Sequence, residues 1–348
     1  MKTRFAAIAA LGALMVMAIV LWSGGAAASQ APSATAKGLG GHSNGSQVQN
    51  FAPPAACNPC LYYSGDFDPN DANANGLADE DDAIVSSAHV YSPVKPDAPW
   101  HVTGLFINTL SGLIPTGATW EIRTGVSEGN GGTVVASGSG AVTQTATGRS
   151  GFGFTEYTDS VTVSPAVTLS AGTTYWINVT PVCAACADRS FESDVPVPGG
   201  ANHVGPADIV DLSFWNSNFF GANFTNTNNE GVFRLFSFGV AGTSNPTITV
   251  TKHLVSFALD PAKFNLRIDG VTYAANVGNG GTTGAITVLP GTHTVSETAG
   301  LNANMSNYTA RIACSDGSAA YATSLQVTVA LGDQLTCVIT NTRKLFKA

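Results

Sequence analysis

Charge is scarce in this chain of 348 residues: only 11% of them are Asp, Glu, Lys or Arg. Basic side chains are fewest, 15 against 23 acidic ones, so the formal net charge is −8, and −10 once a leader carrying Lys2 and Arg4 is removed. A surface of that sign repels phosphate backbones and anionic lipid, which argues against nucleic acid as a partner. No second long apolar run follows the N-terminal one, so no membrane span is expected after that leader is cleaved. Amphipathic helical periodicity is missing throughout. The six histidines (His42, His89, His101, His203, His253, His293) are scattered, with no metal-ligand spacing between any two. No serine or cysteine has a base partner in its sequence context, so the reading is of a protein that is not an enzyme.

What is present is Gly (38 residues) with recurring Thr, Val, Ser and Asn, the composition of an all-β chain. The length exceeds a usual single core and predicts two domains. Their charges differ: residues 29–245 hold 18 acidic and 6 basic side chains, residues 246–348 hold 5 and 7.

Residues 1–28 read as an export signal, with Lys2 and Arg4, an apolar run from Phe5 to Trp22, and small residues up to Ala28 for the cut. The mature protein is therefore expected outside the cytoplasm, secreted or held at a cell surface. Residues 29–56, rich in Ala, Ser, Gly and Gln, read as a flexible low-complexity linker. The linker contains Gly41-His42-Ser43-Asn44-Gly45, a formal G-x-S-x-G match. A nucleophile elbow needs a buried strand before it and a helix after it, and neither is foreseen here.

From 57 to 240, short alternating runs broken by Gly, Pro, Asn and Ser predict a β-sandwich. Trp100, Val102, Gly104 and Phe106 alternate with His101, Thr103 and Leu105, and Tyr175, Ile177 and Val179 repeat the pattern. Eight to ten strands over this length suit a jelly roll. The segments 100–108, 118–123 and 171–177 resemble jelly-roll domains of bacterial extracellular proteins, which implies a surface location more than an activity.

Six cysteines in an exported chain predict disulfides. Cys57 with Cys60 and Cys183 with Cys186 form two C-x-x-C motifs, whose pairing could run within each motif or across the two, and which also match a structural zinc site. Cys314 and Cys337 lie on the apolar parity of their strands and are expected to pair with each other.

An acidic stretch from Asp66 to Asp82 carries seven of the acidic residues of the first domain. Counted from Asp71, oxygen ligands at Asp71, Asn73, Asn75, Asp79 and Asp82, with the carbonyl of Leu77 and a turn at Gly76, follow the spacing of a calcium-binding loop. Calcium is the only cofactor this pattern suggests, and a solvated Asn/Asp turn is the plainer alternative. A second candidate site is the aromatic run around Trp215, Phe219 and Phe220, where rings alternate with amides that could receive an extracellular glycan. Packing of those rings into the core is the competing reading.

The last domain carries the most unusual pattern. In the strand 248–252, the alternation of faces places Lys252 with Ile248 and Val250 on the inward side. The same parity places Glu297 beside Val295, and Asn341 beside Leu335, Cys337 and Ile339. Burial disfavours charge on lysine and glutamate alike, so a neutral amine and a neutral acid could face each other. The amine could attack the Asn341 amide, or the trio could form an ion pair with a hydrogen-bonded Asn.

Residues 246–344 resemble the prealbumin-like repeats of Gram-positive pilins and collagen adhesins, the SpaA or collagen-adhesin B type. The matching segments are Ile248-Thr249-Val250-Thr251-Lys252, Lys263 to Gly270, Leu289 to Thr298 and Val338-Ile339-Thr340-Asn341. The resemblance implies a smaller prealbumin-like β-sandwich with a covalent bond between Lys252 and Asn341, assisted by Glu297. It also implies a structural or adhesion-type surface protein, with a matrix or surface protein or a glycan as partner; a carbohydrate-binding extracellular module is the alternative.

Overall fold

A computed structural model describes residues 36–40, 45, 52–196, 200–230, 234–256 and 260–344 of the chain. The export signal and residues 41–44 of the G-x-S-x-G match lie outside them. Among the described residues there is no α-helix, only two short 3-10 turns at Thr227–Glu230 and Met305–Asn307. The all-β expectation holds, because branched and hydroxylated residues alternate along nearly every segment.

The N-terminal unit is built on two sheets. In the eight-stranded sheet, the long strand Trp100–Ser111 lies beside Phe154–Leu169, which in turn pairs with the edge strand Val142–Gly151. The other side of Trp100–Ser111 is shared by Ser190–Ser193 and Phe238–Ser244. In the seven-stranded sheet, Tyr175–Cys183 lies between His89–Val94 and Gly117–Thr124, and Thr133–Gly140 forms the edge. The inward residues of both sheets meet in one core: Trp100, Val102 and Leu105 from the first, Trp120, Ile122 and Ile177 from the second. That is the pattern of a β-sandwich, in which alternate residues of each strand face the opposite sheet. The pairing is irregular between Val102 and Gly104 and the parity shifts there, so that Leu105 and not Phe106 joins Trp100 and Val102 in this core.

The structure moves both edges of this unit. Residues 38–40, placed by sequence in the flexible linker, pair with Asn75–Ala78, Leu39 lying opposite Gly76. Leu39 is buried against the cluster of Phe67, Leu77 and Trp215, so one apolar side chain in a polar stretch suffices to dock the segment. At the other end the strand runs to Ser244 and the next begins at Thr247, leaving a two-residue connection.

The C-terminal unit is a sandwich of a five-stranded and a four-stranded sheet. The strand Thr247–Val255 runs parallel to Gln334–Arg343, while Phe264–Ile268 and Gly291–Ala299 pair antiparallel in the facing sheet. Ile248, Val250, Cys337 and Ile339 meet Leu266, Ile268, Val295 and Val327 between them.

All six cysteines are paired, within each C-x-x-C (Cys57–Cys60, Cys183–Cys186) and as Cys314–Cys337. The last of these joins register partners on adjacent strands 23 residues apart in sequence. Replacing both cysteines by Ala is expected to lower the stability of the C-terminal sandwich by about 3 kcal/mol on the chain-entropy relation. Chemical denaturation of parent and variant checks this, an unchanged midpoint being the contrary result.

Candidate crosslinking site

Lys252, Glu297 and Asn341 all occupy inward positions, as alternation foresaw. Lys252 is 1% exposed, Glu297 4% and Asn341 0%. In the parallel pair, Lys252 lies opposite Ile339, and Asn341 is two residues further along, opposite Leu254. The lysine and the asparagine are therefore diagonal neighbours on one face, a spacing that long side chains can bridge. Glu297 comes from the facing sheet, where it pairs with Leu266. Its Oε2 meets the Lys252 Nζ at 2.5 Å with both side chains fully buried.

The surroundings are apolar. The Lys252 Nζ lies 4.1 Å from the centroid of the Phe264 ring, and Tyr308 packs edge-on against that ring at 5.4 Å. Tyr308 is held in turn by its hydroxyl donating to Asp260 at 2.7 Å, and Arg343 reaches the same carboxylate at 2.9 Å. Burial pulls the Lys252 ammonium below its ordinary pKa, while the neighbouring Glu297 opposes that shift. Among the described residues, the Asn341 Oδ1 and Nδ2 and the Glu297 Oε1 are buried without any hydrogen-bond partner. A buried polar group left unpaired costs about 1–3 kcal/mol, so a wholly orphaned amide is unusual in a folded core.

Phe264 and its Tyr308 brace were not singled out in the sequence. The alternation of Phe264, Leu266 and Ile268 shows that Phe264 points inward, but nothing local shows that its ring covers an amine from another strand.

The two other candidate sites do not assemble as foreseen. Asn75–Ala78 is a strand, and its pairing with 38–40 and with Ser190–Ser193 straightens what would have been the turn at Gly76. Leu77 is buried in the core. Asp71 accepts from the Asn73 N–H at 2.9 Å, and Asp82 accepts from the N–H groups of Ile84 and Val85 at 2.6 Å. The Asn75 backbone N–H donates to Asp194 at 2.8 Å, and the Thr180 hydroxyl donates to Asp79 at 2.7 Å. Among the described residues, no group of three His, Cys, Asp or Glu is placed to hold a metal ion.

The aromatic run is corrected in its central residue. Trp215 is 0% exposed and donates its indole N–H to the Ala78 carbonyl at 2.9 Å. Phe220 packs on it with ring centroids 5.2 Å apart, and only Phe219, 42% exposed, presents a face to solvent. Trp215 is thus a core residue, because it closes the second apolar cluster under the strand that carries Ala78.

No family and no curated protein matches the chain. Among solved structures, it is similar to a bacterial adhesin from Mobiluncus mulieris described as containing intramolecular disulfide, isopeptide and ester bond cross-links. That alignment has 10% identity and a TM-score of 0.26, covering 74% of this chain and 100% of the other. It is similar as well to a major pilin protein of Streptococcus pyogenes (11% identity, 71% and 100% coverage, TM-score 0.22). A third is the pilus 2b backbone protein of group B streptococcus (12% identity, 81% and 95% coverage, TM-score 0.21).

Proposed function

We propose that this chain is a secreted or cell-surface bacterial protein of structural or adhesive type, whose C-terminal sandwich is locked by an amide between Lys252 and Asn341. The observation that carries the reading is the fully buried Lys252–Glu297 contact, with Asn341 diagonal to Lys252 on the paired strand and its amide without a hydrogen-bond partner among the described residues. The chemistry balances with the groups present. Lys252 gives up a proton to Glu297, and the neutral Nζ attacks the Asn341 Cγ. The Cγ–Nδ2 bond then breaks, and Glu297 returns protons to the leaving nitrogen, which departs as ammonia. The step runs once per molecule and is maturation rather than turnover. It also relieves the orphaned amide, since Nδ2 leaves and Nζ becomes part of the new bond.

A strand so joined to its parallel neighbour resists pulling and proteolysis, which suits a module displayed outside the cell. Fractionation of source cells is expected to recover the chain from the medium or the cell surface. Recovery of the chain only from the cytoplasmic fraction would refute the surface reading. The Trp215 ring is buried and offers no platform for a carbohydrate.

A further inference from the structure

The outer face of the eight-stranded sheet carries a cavity of about 510 Å³ that none of the sites above uses. Its wall is an array of hydroxyls on two paired strands. Thr143 lies opposite Ser160, and Thr145 lies opposite Thr158, so all four side chains share one face. Its floor includes Arg149 and Asp66, and its other side is the chain segment 52–56, with Pro53 and Pro54. That segment is fixed at its end. The Cys57 N–H donates to the Pro54 carbonyl at 2.8 Å, and the Cys57–Cys60 disulfide packs with Tyr63 and Phe106.

The electrostatics select the kind of ligand. Arg149 is 3% exposed and already meets two carboxylates, Asp66 at 3.0 Å and Glu156 at 2.5 Å. Its positive charge is therefore compensated, and an anion entering the cavity would find no net attraction. The Thr143 and Thr145 hydroxyls can both donate and accept, whereas Thr158 and Ser160 already donate to the Asn108 Oδ1 and the Thr143 carbonyl and offer acceptor lone pairs; together they complement a neutral ligand made of hydroxyls. Proline and alanine on the opposite wall offer apolar contact for C–H groups. The volume falls within the range of about 300–1,000 Å³ usual for small-ligand pockets.

We propose that this cavity, between residues 52–56 and the hydroxyl face of the strands Val142–Gly151 and Phe154–Leu169, binds a neutral saccharide. The proposal is independent of the crosslink in the other sandwich. Neutral oligosaccharides of glucose, galactose, mannose and N-acetylhexosamines, with sialylated and sulfated glycans alongside, are titrated against the mature protein by saturation-transfer NMR. At least one neutral sugar is expected to bind. The double variant Thr143→Val/Thr145→Val keeps the shape of the wall and removes two hydroxyls, and should weaken that sugar about tenfold or more. Ser139→Ala, on the edge strand of the other sheet, should leave binding as in the parent. Binding of charged glycans only, equal binding by the double variant, or no binding by any neutral sugar overturns the proposal.

Discussion

Mature protein is expected to weigh one ammonia less than its sequence requires after allowance for its three disulfides. Peptide mapping should locate the deficit in a branched fragment joining Lys252 to Asn341. Asn341→Ala is the informative variant for the energetics, because it leaves the buried Lys252–Glu297 contact in place and removes only the partner of the bond. Lys252→Ala would instead strand Glu297 in the core, a loss of about 3–5 kcal/mol unrelated to crosslinking. The bond closes a loop of roughly 90 residues, worth about 4–5 kcal/mol on the chain-entropy relation. For a domain of this size that corresponds to a fall of roughly 15–30 °C in the melting temperature of Asn341→Ala. Glu297→Ala should restore the calculated mass with Lys252 and Asn341 both present, since no group would then move the protons. A parent mass equal to the calculated one would end the crosslink reading.

The N-terminal sandwich is expected to lose stability as pH rises, for a reason that lies in its buried acids. Asp79 and Glu192 are 0% and 1% exposed; burial pushes both carboxyls up, Asp79 raises Glu192 further, and the hydrogen bond from Glu192 only partly offsets the burial of Asp79. Among the described residues, neither oxygen of Glu192 nor the Oδ2 of Asp79 finds a donor, so the pair is satisfied only by sharing a proton. Burial also pushes Asp194 up to about 8 and Asp159 up to about 6. In the unfolded chain these carboxyls titrate near 4. A group whose folded pKa is raised stabilises the fold fully below its unfolded pKa, and that contribution is lost as pH rises through the folded value. For Asp194 alone, the three pH units from 5 to 8 amount to about 4 kcal/mol at about 1.4 kcal/mol each.

Tryptophan fluorescence isolates the effect, because all five tryptophans precede residue 245 and Trp100, Trp120, Trp176 and Trp215 sit in this sandwich. Denaturation followed by that signal should show a markedly lower midpoint at pH 8 than at pH 5. Glu192→Gln should flatten the slope and be more stable than the parent at pH 8, its amide donating to Asp79 in place of the shared proton. Equal stability of the parent at the two pH values would show that these acids are not held protonated.

Local alternation made several features readable before any coordinates. The pleat of a strand has a period of two wherever the strand sits, so the inward placement of Lys252, Glu297 and Asn341 follows from their neighbours alone. The all-β class came from composition, and the pairing of Cys314 with Cys337 from the same parity. What alternation cannot report is which distant residues share an interior. The spacing from Asp71 to Asp82 fits a calcium loop only if the chain curls at Gly76, and pairing with strands from elsewhere in the chain holds it extended instead. Trp215 was legible as part of an aromatic run, but whether its ring faces water depends on the segment that carries Ala78 lying over it. The acid pair of Asp79 and Glu192, the Phe264 ring over Lys252 and the hydroxyl-lined cavity have no signature along the chain. Side-chain direction is fixed by each residue's own backbone, whereas convergence is fixed by the order and stacking of sheets, and only the tertiary structure sets those.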